Sequence, residues 1–408
     1  MNCLVFPGRL PRREPACCSF GWRPPQSPKV LRPHELPWSS RISSSLIRSA
    51  LVGTCLVPAA LLSAAPLAAQ ADSATVTVEL RREHREVVIT IGPLTIPNTG
   101  GGHSHGGSAG HETRLYRATW PLTSWFRGFQ VELYDSAGQR LSGRHLHHLS
   151  MVNLARRQLL YPAFERILGA GQEQASFRAP ATIGVPMDTG MKLGTFVGWH
   201  NDTGHEIAGA RVVMRMQYLP SNWMPPPTPV RPLWLDVSYR SGATDSYDLP
   251  PGPSSKSYEF TLPVGGRLLA AGGHLHDHAK FLRLEDAESG KILIELKPRT
   301  DSTGRLISVP RKLFGVAGAG LRLRANRRYR LRADYDSPAP EVVKKGAMGL
   351  MVAAFVPDDP SRWPALDLAE AGLQRDLAML ESLGSPSKPA ARPSAPDTAM
   401  ATHQHNHQ

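Results

Sequence analysis

The chain has 408 residues, with 47 Lys and Arg, 34 Asp and Glu, 16 His and four Cys. Beyond position 71 the basic excess shrinks to 39 against 32, and no aromatic–basic motif accompanies it, which excludes nucleic acid as a partner. Cys3, Cys17, Cys18 and Cys55 all precede that point, which excludes a disulfide-stapled domain, so the rest must be held by its core alone.

Residues 1–71 read as a leader. An apolar run at 46–62 follows Arg41 and Arg48, and small residues at 64–71 (AAPLAAQA) offer cleavage after Ala69 or Ala71. Positive flank, short apolar stretch and A-x-A-like site describe a secretory signal peptide, hence a secreted or periplasmic protein. The Pro- and Arg-rich stretch ahead of it exceeds an ordinary signal n-region and points to a start codon assigned too far upstream. An uncleaved leader would be the only expected attachment to a membrane.

The remaining chain reads as strands. Segments 74–80, 86–91 and 128–134 alternate apolar and polar residues between Gly, Pro and Asp-Ser turns, and so do 211–219, 258–263, 281–285, 291–296 and 329–335. Strands at short intervals with little helix between them predict an all-β protein built of β-sandwiches. A short helix is expected within 154–168, interrupted by Pro162. The run MPPPTP at 224–229 is a stiff connector, dividing a first domain at 73–224 from a second at 230–358. Leu366, Ala369, Leu373, Leu377 and Leu380 fall at helical spacing before Gly384, predicting an amphipathic C-terminal helix within 359–384. The Pro-, Ala- and Ser-rich segment 385–408 is expected to be a disordered, His-containing tail.

Candidate metal ligands concentrate in four places: His145, His147 and His148; His200 in a WHN setting; His274, His276 and His278 after a double Gly; and Met348. Alternate residues of a strand share a face about 7 Å apart, so the H-x-H-x-H run can present its imidazoles together. His147 and His148 are adjacent, so one must bulge for both to reach one ion. Packing has no reason to choose imidazole three times in a row of alternate positions, whereas a lone His84 or His205 is an ordinary surface residue. Met348 alone reads first as a gap-filler. His103, His105 and His111 in a Gly-rich loop, and His403, His405 and His407 in the tail, read as segments that scavenge metal weakly.

The order of these motifs resembles the copper type II, ascorbate-dependent monooxygenases, the peptidylglycine hydroxylating and dopamine β-monooxygenase family. His147-His148-Leu149 comes first, then His200, the His274/His276 pair and Met348, with gaps of 52, 74 and 72 residues. The resemblance covers most of 125–358 as a motif string. It implies two jelly-roll-like domains in tandem and two copper ions. One ion would be held by His147, His148 and His200 and pass electrons; the other, on the catalytic residues His274, His276 and Met348, would bind dioxygen, with ascorbate or a similar external reductant. A thioether favours Cu(I), which suits that division. His145 and His278 are extras able to substitute for a ligand.

The sequence also departs from the family. Gly272 stands where the peptide-hydroxylating members carry a carboxylate-holding Arg, Gly349, Leu350 and Met351 replace a substrate-contacting Tyr, and the family's disulfides are absent. The metal ligands therefore transfer better than the substrate pocket, and the small-molecule substrate is left open. Competing expectations are a non-catalytic copper-binding or delivery protein, a mononuclear zinc or iron site on His274, His276 and His278, and a β-sandwich adhesion or carbohydrate module with incidental histidines.

Overall fold

The computed structural model describes residues 73–99, 112–243, 245–315 and 319–384, all within one compact unit. The leader, most of the His-rich loop with His103, His105 and His111, and the tail with its three histidines lie outside the described residues.

The first half contributes β1 (Thr75–Arg81), β2 (Glu86–Ile96), β3 (Tyr116–Thr119), β4 (Ser124–Tyr134), β5 (Leu146–Arg157) and β6 (Phe164–Gly171). It continues with β7 (Ser176–Arg178), β8 (Ile183–Met187), β9 (Lys192–Trp199), β10 (Ile207–Pro220) and β11 (Thr228–Pro229). One sheet has the order β1-β2-β10-β4-β8-β11, with β7 on β4; the facing sheet has the order β3-β9-β5-β6. Setting aside β1, β7 and β11, the eight main strands run first-eighth-third-sixth in one sheet and second-seventh-fourth-fifth in the other. That is the double Greek key of a jelly roll.

The second half repeats it. Its strands are β12 (Arg231–Asp236), β13 (Tyr247–Leu249), β14 (Gly252–Thr261), β15 (Gly266–Leu275), β16 (Ala279–Asp286) and β17 (Ile292–Leu296). There follow β18 (Arg299–Thr300), β19 (Leu306–Ser308), β20 (Lys312–Leu313), β21 (Leu321–Leu323), β22 (Arg328–Ser337), β23 (Val343–Ala347) and β24 (Gly349–Pro357). The sheets β12-β24-β15-β20 and β14-β22-β16-β17 have the same strand order as the first pair, and β13 pairs separately with β23. The protein is thus all-β, two jelly-roll-like sandwiches in tandem.

Alternation builds each core. In β10, Val212, Met214 and Met216 are fully buried while Arg211, Val213 and Arg215 face outward, and each such buried side chain contributes about 1.5–3 kcal/mol. The second core gathers Leu235, Leu282, Leu284, Leu331, Met351 and Phe355. The two are not spaced apart: Leu269, Ala354 and Val356 of the second sandwich pack against the first core. The Pro-rich connector accordingly does not act as a free spacer. Its Thr228 and Pro229 pair in parallel with Ile183 and Gly184 of β8.

Two local expectations are corrected. Residues 154–168 hold no helix but the end of β5 and the start of β6, because the apolar residues there serve two pairing partners and Pro162 marks the turn between them. The C-terminal helix α1 spans Ala371–Ser382 only. Pro360 and Pro364 keep the preceding stretch out of an α-helix, although Leu366 still packs on the cluster that buries Leu373 and Leu380.

Candidate metal centre

The expected ligands arrive from elements far apart in sequence and gather at the junction of the sandwiches. Those on β5 come first. Pairing with β9 shifts register between Leu146 and His148, so His147 occupies a bulge, and both adjacent imidazoles line the same cavity. The His148 ring packs against Gly198 of β9. A Cβ at Gly198 would stand 2.6 Å from its Cε1, so only glycine leaves room for the ring there. Phe196 meets the same ring edge-on at 6.2 Å between centroids. His200 follows β9 and donates its N–H to the His145 carbonyl (3.0 Å).

On the second sandwich, His274 pairs with Leu350 near the end of β15, and His276 stands just past the strand end, only 5% exposed. Tyr335 ties this segment down. Its hydroxyl accepts the N–H groups of His276 (3.0 Å) and Met348 (3.2 Å) and donates to the Met348 carbonyl (2.5 Å). Burial, set against these backbone contacts, pushes the Tyr335 hydroxyl well above its ordinary range. Tyr335 thus stays a neutral staple between His276 and Met348.

The two ligand sets meet. His147 lies 5.0 Å from His148 and 5.2 Å from His276, and His276 lies 5.5 Å from His274, centroid to centroid. Two imidazoles on one ion at roughly 2.0 Å and a near-tetrahedral angle have centroids about 5 Å apart. The row of four has that spacing at every step. Among the described residues, however, no three His, Cys, Asp or Glu side chains are already converged on one point, so coordination requires the rings to turn. A small hollow of about 30 Å³ lies among His147, His200, His274, His276, Glu173 and Asp277, enough for an ion or a water. It adjoins a cavity of about 330 Å³ that His147, His148, His200, His274, His276 and Met348 all line. Phe126, Leu149, Leu168, Val185, Trp234 and Ala270 make much of its apolar wall.

Two carboxylates that no sequence motif marks stand beside the row. Glu112 Oε1 stands 3.1 Å from His148 Nε2, and Glu173 Oε1 stands 2.5 Å from His274 Nδ1. The opposite ring atoms, His148 Nδ1 and His274 Nε2, are buried with no hydrogen-bond partner. Burial alone would push the Glu173 carboxyl up; the charge and hydrogen bond of His274, its own N–H and the more distant His148 outweigh burial and hold it below its usual range. Burial disfavours the His274 imidazolium, but Glu173 by charge and hydrogen bond, with Asp245 behind it, raises its pKa.

The two extras stand apart from the row. His145 closes a 3₁₀ turn at Gly143–His145, buried with Nδ1 against the His200 carbonyl (3.3 Å). β15 stops at Leu275, so His278 does not share the face of His274 and His276 as strand alternation implied. It sits in a turn at φ 67°, its N–H on the Gly304 carbonyl (2.8 Å), while Asp277 accepts the Leu306 N–H (2.7 Å). The three histidines His274, His276 and His278 therefore do not sit on one continuous strand.

No protein-family model and no curated protein matches the chain. Among solved structures it is similar to the STIV major capsid protein (10% identity, 68% of this chain and 99% of that one, TM-score 0.32). It is also similar to the major capsid protein P2 of bacteriophage PM2 (12%, 65% and 98%, 0.30) and to PNGF-II (12%, 66% and 65%, 0.35). These likenesses are loose, and neither fold nor function here rests on them.

Proposed function

We propose that this is an exported copper-binding protein that works as a monooxygenase-like oxidoreductase, using dioxygen and an external reductant such as ascorbate on a small organic substrate. The observation that carries the reading is the pair of buried, unpartnered nitrogens, His148 Nδ1 and His274 Nε2, each on a ring whose other nitrogen meets a carboxylate. A buried polar atom without a partner costs about 1–3 kcal/mol, and carboxylate–histidine–metal is the arrangement that removes the cost. His147, His148 and His200 would hold one ion; His274, His276 and Met348 would hold the second. Imidazoles with one thioether suit copper, which cycles between Cu(I) and Cu(II).

Bound copper would supply the redox chemistry that side chains cannot. The chain's own part is to place the substrate and exclude water. The 330 Å³ cavity is of the size that takes a small molecule, and its apolar wall brings a C–H bond beside the histidines. Hydroxylation would convert one C–H and one dioxygen to an alcohol and water, with two electrons from the reductant and two protons from solvent. A copper storage or delivery role is the second reading, favoured by rings that are gathered but not converged.

Copper analysis tests the reading, with the four cysteines replaced by serine and excess Cu(I) chelator present to strip the His-rich loop and tail. Two retained ions per chain are expected, falling to one in His274→Ala; no retained copper would refute it. Oxygen uptake by the loaded chain with ascorbate then separates the roles, since substrate-stimulated consumption requires an enzyme and its absence leaves storage or delivery.

A further inference from the structure

We propose that Glu112 and Glu173 are the positioning carboxylates of this centre, and that Glu173 makes the site composite: a residue of the first sandwich sets the second sandwich's ligand His274. The inference rests on the metal reading above and deepens it. Glu173 lies between β6 and β7, in a turn closed by reciprocal hydrogen bonds between Gly171 and Gln174 (3.1 Å each). Its side chain is only 4% exposed, and it crosses the junction to a histidine 101 residues later.

An ionised carboxylate can only accept a hydrogen bond, so the ring nitrogen facing it must carry the proton. His274 is thereby fixed with its proton on Nδ1, leaving Nε2 to bind. His148 is fixed in the opposite sense, with its proton on Nε2 against Glu112 and Nδ1 left to bind. The atoms freed by this argument, His148 Nδ1 and His274 Nε2, are both buried without a hydrogen-bond partner. The carboxylates thus explain both which nitrogen faces the metal position and why the two histidines use different ones. They also make the centre depend on the junction: a second sandwich parted from the first keeps His274 and His276 but loses the group that orients His274.

The test uses the full chain in the cysteine-free background, with Cu(I) alone as the probe. In the metal-free protein above the imidazole titration, nitrogen NMR should show His274 with its proton on Nδ1 and His148 with its proton on Nε2. Glu173→Gln, which keeps size and loses the obligate acceptor, should abolish the His274 preference, leave that of His148, and weaken Cu(I) retention about 10- to 100-fold. Glu112→Gln should do the converse to His148. A merely structural role would not move one ring's tautomer and spare the other. Should Glu173→Gln fail to fold, Glu173→Asp, which withdraws the oxygen by one methylene, carries the same expectation. Retained copper in the wild type with unchanged tautomer and affinity in Glu173→Gln overturns this proposal alone. A wild-type chain that retains no copper overturns the metal reading and this proposal with it.

Discussion

Tyr335 shows how much of the centre depends on one hydroxyl that is no ligand itself. It serves the backbone of His276 and both backbone groups of Met348, so it fixes the distance between the last two expected ligands. Tyr335→Phe should cost about 1–3 kcal/mol, the usual consequence of leaving buried polar groups unpaired, visible as a lower urea midpoint with unchanged slope. Unaltered stability would show that water replaces the hydroxyl. At this scale the sequence was partly legible. Imidazoles at alternate positions and an adjacent pair stand out because packing does not select them. Glu112, Glu173 and Tyr335 do not, since each meets its histidine across 36, 101 or 59 residues. In sequence they read as a loop acid, a turn acid and a strand aromatic.

Elements were more legible than contacts, because a half-buried strand writes its period into the chain. The alternation of β2, β4, β10 and β22 is plain, and the bulge at His147 lets two adjacent imidazoles line one cavity. The stretch 154–168 misled because apolar residues of β5 and β6 flank a turn and imitate a helical stripe. Helix α1 is held by an ion pair that no periodicity reveals. Arg166 on β6 grips Asp376 with two nitrogens (2.8 and 2.7 Å), and Asp376 also accepts the Phe164 N–H (2.9 Å). Both partners are nearly buried, so Asp376→Ala strands a buried guanidinium and should cost about 3–5 kcal/mol, with α1 amides exchanging first. Wild-type protection of α1 in that variant would contradict this docking.

For the molecule as a whole, charge crosses the junction along with apolar contact. Buried Glu165 on β6 faces Arg156 at 3.8 Å and Arg231 of the second sandwich at 3.4 Å. Asp245 lines the cavity, and its carboxyl is pushed up to about 6, by burial first, with Arg166 and His148 opposing. Between an unfolded value of about 4 and that folded value, the folded chain keeps a proton the unfolded chain has shed, so stability falls as pH rises through this window. Asp245→Asn should reduce that slope, which the neighbouring Asp236 and buried Glu165, both raised by burial, also feed, and stabilise the copper-free protein above pH 6; melts at pH 4 and pH 7 showing the same slope as the wild type would contradict it.

X-ray absorption at the copper edge of the Cu(I)-loaded, cysteine-free chain reads the proposed ligand set itself. Imidazole scattering is expected together with one sulfur near about 2.3 Å, the length of a metal–sulfur bond, and Met348→Ala should remove the sulfur while leaving the imidazoles. Copper without imidazole neighbours, or a sulfur that survives Met348→Ala, would rule out the proposed centre.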